Sequence, residues 1–230
     1  MSSGSRRSVL GSGALALTSA YVAAQILGRG WGATGAERRG PMPGDELVER
    51  PHGHTTHAVT IAAPPREVWP WLVQLGYHRG GWYTYPWVDR HLFRMENPSA
   101  GRIVPELQHL AVGDRIPDGP PDTAWYDVVG LEPERALVLH STTHLPVQWR
   151  ENPRLRAWVD WSWVFVLEPV GTASTRLVLR MRGRCGPWWL RLGFVGVIIP
   201  ADFVMARSML RGIAGRAEQH RGRGAPRAMP

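Results

Sequence analysis

The chain has 230 residues, 43% of them hydrophobic, and a formal net charge of +8. That length and apolar content fit one domain of ordinary size with terminal extensions and exclude a wholly disordered chain. Cys185 stands alone, so an internal disulfide is excluded, and all 27 basic residues are Arg, a bias that a GC-rich genome explains better than a binding requirement.

Arg6 and Arg7 precede a stretch from Val9 to Leu27 that is free of charge and rich in Ala, Leu and Val. A charged region followed by an apolar one is the layout of a targeting segment, so residues 1–28 are read as a signal or membrane anchor. Ser5-Arg6-Arg7-Ser8-Val9-Leu10 also resembles the twin-arginine export motif. Two outcomes stay open. Cleavage after Ala24 leaves small residues at the required sites, whereas retention gives a single anchor, since about 20 apolar residues just span a bilayer. The protein is therefore expected to be membrane-anchored or exported. Residues 29–56, with Pro41, Pro43 and Gly44, read as a linker or an arm over the domain surface.

The folded domain is expected over 57–218. Val59 and Ile61 alternate within a strand His57–Ala62, and a double proline then changes the period to Val68, Trp71, Leu72 and Leu75. That is a strand breaking into an amphipathic helix, Pro65–Leu75. Pro65 suits the first helical position, and Pro70 should kink the helix. Gly80-Gly81 breaks the chain before Trp82-Tyr83-Thr84-Tyr85-Pro86-Trp87, after which a second short helix to Leu92 or Phe93 is predicted, and Asn97–Gly101 is turn chemistry. Strands follow at Val112–Ile116, Ala124–Leu131, Ala136–Thr142, Ala157–Leu167 and Thr175–Gly183. On the fourth of these, Val159, Trp161, Trp163, Phe165 and Leu167 share one face; on the fifth, Arg176, Arg180 and Arg182 mark the other face as solvated. A last helix starts at Pro200 with Phe203, Ala206, Leu210, Ile213, Ala214 and Ala217 as its apolar stripe. Residues 219–230 read as a disordered basic tail. Residues 176–230 carry 11 Arg against Asp202 and Glu218, a balance that suits anionic lipid or a merely solvated face.

Ile61-Ala62-Ala63-Pro64-Pro65-Arg66-Glu67-Val68-Trp69 and Gly81-Trp82-Tyr83-Thr84-Tyr85, in this order of elements, resemble the SRPBCC superfamily of START-type and polyketide cyclase-like helix-grip domains, in an uncharacterised bacterial branch. The resemblance implies an α+β fold: a curved antiparallel sheet wrapped around a long C-terminal helix, with two short helices after the first strand. It also implies an apolar cavity for a hydrophobic or amphipathic ligand (lipid, isoprenoid or polyketide-like). Some members are cyclases or dehydratases, so an enzyme using cavity acid–base residues is the competing reading.

Trp82, Tyr83, Tyr85 and Trp87 either line a ligand entrance or pack the short helices on the sheet. Trp161 and Trp163 belong to a face that serves as both core and pocket wall. His140 is a candidate polar group at the pocket mouth, and Asp160 is a proton donor or acceptor only if its face is enclosed. His52-x-His54-x-x-His57 and His140-x-x-x-His144 have ligand-like residues but poor spacing, so no metal is expected, and no cofactor motif is present. Pro187–Ile199 is too short to cross a bilayer; it either packs over the cavity mouth or docks on lipid through Trp188 and Trp189. Membrane lipid is an expected partner, with no nucleic acid and no obligate protein partner.

Overall fold

The computed structural model describes residues 17–23, 25–26, 28–85 and 99–224. Arg6 and Arg7, Trp87, the expected second short helix and the end of the tail lie outside the described residues.

Six antiparallel strands form one sheet: β1 (Gly53–Ile61), β2 (Arg115–Pro117), β3 (Trp125–Glu132), β4 (Ala136–Ser141), β5 (Trp158–Val170) and β6 (Ser174–Gly186), in the order β1-β6-β5-β4-β3-β2. Among the described residues, α1 (Gly35–Arg39), α2 (Pro65–Val73), α3 (Val147–Arg150), α4 (Trp188–Gly193) and α5 (Ile199–Gly224) accompany it. The inner face of β5 carries Val159, Trp161, Trp163, Phe165 and Leu167, all buried, as the alternation predicts. Against this face lies α5, whose Ala206, Leu210, Ile213, Ala214 and Ala217 are buried with Met209. Pro65 opens α2, which continues through Pro70 and buries Val68, Trp71 and Leu72. The result is an α+β helix-grip fold.

Two boundaries differ from the sequence pattern. β1 starts at Gly53 because Thr55 and His57, polar yet buried, face inward and hide the alternation. The last helix starts earlier too: α4 runs through a π turn, Phe194–Ile198, directly into α5. A proline lacking its N–H is tolerated at Pro200, where the hydrogen-bond pattern changes from π to α. The wider turn also leaves carbonyls open to outside donors. The Gln25 amide donates to the Val195 carbonyl at 2.7 Å and the Tyr21 hydroxyl to the Gly196 carbonyl at 2.8 Å, joining the N-terminal helical residues to this turn.

The arginine face of β6 is covered, contrary to the solvated face that its pattern suggests. The edge of β1 is closed when Thr56 and Ala58 donate their amides to the carbonyls of Arg29 and Trp31. The arm then crosses β6. Arg180, only 3% exposed, donates to Asp45 at 2.7 Å and to the carbonyls of Gly40 and Glu37, while Arg182 donates to the carbonyl of Val48. Buried guanidinium is tolerated because its donors are taken. At α1, Thr34 and Glu37 form a capping box, and Arg176 binds both oxygens of Glu37, at 2.7 and 2.9 Å.

The Arg176 contact, helped by Thr34 and opposed by burial, holds the Glu37 carboxyl down to about 2 from an ordinary 4.5. A lowered carboxyl contributes stability above its unfolded value and loses it as pH falls toward the folded one. Wild type should therefore exceed Glu37→Gln in urea stability at neutral pH, with the gap closing as pH drops from about 4.5 to about 2. A gap that stays constant with pH would remove Glu37 ionisation as its cause.

Candidate ligand pocket

A pocket of about 430 Å³ opens where the ends of β5 and β6 meet α4 and the π turn. Its size suits a small organic molecule. Trp161 and Val159 reach it from the inner face of β5, Cys185 from β6, and Trp189, Phe194 and Val197 from the helix side. Trp161 and Phe194 meet edge-on at 5.3 Å, and so do Trp149 of α3 and Trp189 of α4 across the mouth. Gly183 makes the Phe194 position available: a Cβ there would overlap the Phe194 ring. Cys185 is 3% exposed, and burial pushes its thiol up from the ordinary value.

Among the described lining residues, His144 supplies the one titratable ring. Its Nε2 lies 2.8 Å from Asp118 Oδ2 and its Nδ1 2.8 Å from Ser141 Oγ. Ser141 is fully buried, so the serine and the aspartate hold the imidazole from behind while the ring faces the pocket. Behind it a chain of rings runs inward. His144 packs on Trp161 at 6.1 Å and Tyr126 at 4.5 Å; Tyr126 stacks on Trp163 at 5.3 Å, and Trp163 meets Trp82 at 5.5 Å. Burial first, then Asp118 and Asp202, drives the Tyr126 phenol well above its ordinary range. The indole N–H groups of Trp82, Trp161 and Trp163 are buried without a hydrogen-bond partner among the described residues.

The residues singled out from sequence divide. Trp161 lines the pocket, and Trp163 and Trp82 form the layer behind it. Tyr83 is buried elsewhere, accepting from the Gln74 amide at 2.8 Å with the Arg216 guanidinium over its ring. Tyr85 is exposed. His140 lies on the outer face of the sheet, its Nε2 2.7 Å from Asp160, so neither residue reaches the pocket. The histidines of 52–57 are also separated. His52 accepts the Cys185 amide, His54 points outward, and His57 faces Asp202. Among the described residues no group of three metal-ligating side chains converges. Trp149, Trp189 and His144 complete the mouth. The H-x-x-x-H spacing marks His144 only as a ligand-type residue; its place in the pocket wall comes from the loop after β4.

Exposed apolar side chains lie in or next in sequence to the helix side of the pocket: Val197 of its lining is 63% exposed, Trp188 beside Trp189 69% and Leu192 beside Gly193 65%. Leu17 and Ile26, near in sequence to the residues bound at the π turn, are exposed too. The helical run Trp188–Gly222 is long and apolar enough, by length and composition, to cross a membrane. Its second half, however, is the core helix that packs on the sheet; the exposed apolar part is the first half.

No protein-family model matches the sequence, and no curated protein matches it. Solved structures of similar shape include a hypothetical protein from Helicobacter pylori (11% identity, 77% of this chain and 95% of that one, TM-score 0.46). A norcoclaurine synthase mutant from Thalictrum flavum is also similar (14% identity, 74% and 96%, TM-score 0.42). So is the Zhui aromatase/cyclase from a Streptomyces species (16% identity, 76% and 98%, TM-score 0.39). By the order of its own elements, one antiparallel sheet closed on a long C-terminal helix, the chain has a helix-grip fold.

Proposed function

We propose that the protein binds a hydrophobic or amphipathic small molecule (a lipid, isoprenoid or polyketide-like compound) in the pocket beside the π turn, while held at a membrane. The observation that carries this reading is the pocket itself: an apolar volume walled by Trp149, Trp161, Trp189 and Phe194, with one oriented imidazole at its edge. Aromatic walls offer large contact area at small entropic cost, and a single polar group orients an amphipathic ligand. The membrane part is supported by the exposed apolar side chains on the helix side of the pocket and by the uncharged stretch of residues 9–27. Cell fractionation should leave the chain with membranes after a salt wash.

Native mass spectrometry of the purified full chain should show a retained apolar compound, or binding of an added fatty acid. Trp149→Ala with Trp189→Ala should weaken that binding about tenfold or more, and ligand should slow alkylation of Cys185 in the pocket wall. A protein that emerges empty and takes up no apolar probe contradicts the reading. The competing enzyme reading is favoured by the Asp118–His144 pair, which fits general acid–base chemistry at the pocket edge. His144→Gln separates the two: a carrier keeps its ligand, whereas an enzyme keeps the ligand and loses turnover.

A further inference from the structure

Arg29, Arg38, Arg39, His54 and Thr56 enclose a second pocket, of about 340 Å³, on the outer side of β1. The arm's acids near it are engaged elsewhere: Glu37 with Arg176, and Asp45 with Arg180 and Arg182. Among the described residues no carboxylate forms an ion pair with Arg29, Arg38 or Arg39, and none lines the pocket. Three arginines therefore line one concave surface, with no carboxylate of the described residues among its lining. Of these three, Arg29 acts on His54. Burial first, then Arg182, Arg180 and Arg29, lowers its proton affinity, with Asp45 the opposing charge. Thr56 adds a buried hydroxyl, whose oxygen accepts from Arg180 Nε at 3.2 Å and whose hydrogen is left to donate.

We propose that this pocket binds a phosphate-bearing anion, held by the guanidinium groups of Arg29, Arg38 and Arg39. The planar N–H fork of arginine matches two phosphate oxygens at once, which the point charge of an ammonium does not achieve. The same chemistry is offered by a free phosphate ester and by an anionic lipid headgroup. Arg29 lies three residues after Ile26, a described N-terminal helical residue, so a headgroup is within the chain's own reach if those helical residues enter a bilayer. The proposal does not depend on occupancy of the apolar pocket.

The test reads the His54 ring resonance, assigned through His54→Gln, in the full chain. Inorganic phosphate added at low salt in non-ionic detergent should shift it saturably and raise its protonation midpoint, because a bound anion favours imidazolium. Arg38→Gln with Arg39→Gln should weaken the effect about tenfold. Arg135→Gln, a charge loss on the exposed turn between β3 and β4, should leave it intact. A second arm uses bilayer discs of phosphatidylcholine alone or with phosphatidate. A shift with phosphate in detergent assigns a free-anion site, and a shift with phosphatidate only assigns a headgroup site. No saturable shift in either arm overturns the proposal. So does a double variant that behaves as wild type, or an equal loss in Arg135→Gln, provided circular dichroism shows the variants folded.

Discussion

Asp202→Ala should cost about 3 kcal/mol of folding stability, among the larger single-residue losses a domain of this size shows. Asp202 Oδ2 accepts the Thr55 hydroxyl at 2.6 Å and faces His57 Nε2 at 3.1 Å, and the three side chains are buried between β1 and α5. A carboxylate only accepts, so Nε2 carries the hydrogen in this contact. Removing the carboxylate strands a hydroxyl and an N–H in a dry interior, which costs more than the net worth of either bond. His57 Nδ1 and Asp202 Oδ1 lack partners among the described residues, so no other polar group of those residues reaches these atoms. Asp202→Asn keeps an oxygen and should lose less. Urea denaturation followed by tryptophan fluorescence measures both variants; a loss below about 1 kcal/mol for the alanine variant would mean that water enters the site and replaces the carboxylate.

Gly212→Ala should destabilise by about 2 kcal/mol, against the usual sign for an exposed helix. Alanine is ordinarily favoured over glycine inside a helix by about 1 kcal/mol. At Gly212, however, a Cβ would overlap the backbone carbonyl of Tyr83, and a backbone atom cannot rotate away. Overpacking of this kind costs about 3 kcal/mol at its upper end, which outweighs the propensity gain. Tyr83 itself has φ 57°, a left-handed conformation that directs its carbonyl at the helix. The sign of the change in thermal melting decides the matter: a stabilised Gly212→Ala protein would show that α5 and the Trp82–Tyr83 segment are less closely packed than their geometry indicates.

The order of elements was legible because it is carried by local periodicity: the double proline at α2, the alternation of β5 from Trp158 to Leu167 and the apolar stripe of α5. What sequence could not show depends on distant partners. Arg176, Arg180 and Arg182 alternate as a wet face does, and only the return of residues 29–48 over β6 makes that face dry. His140 and Leu139 are equally plausible pocket residues until the sheet's inner side is known; the structure puts Leu139 inside and His140 against Asp160. The mouth was half legible. Trp161 follows from its strand, and Trp189 from its apolar segment, but Trp149 sits on a four-residue helix with no periodic signal.

The pairing of β1 with β6 runs from Gly53 opposite Gly183 to Ile61 opposite Thr175, so about half the chain separates the partners. Closing so long a loop costs entropy before any contact rewards it, and folds dominated by such distant pairings form slowly. The same delay falls on everything β1 brings with it: the arm's ion pairs wait for the β6 arginines, and Thr55 and His57 wait for Asp202. On the ribosome, residues 29–61 thus stay without their final neighbours until β6 and α5 have emerged. A chain stopped before Ser174 can complete the hairpins from β2 to β5 but leaves residues 29–61 without these partners, which makes the arrival of β6 and then α5 the event that commits the protein to its fold.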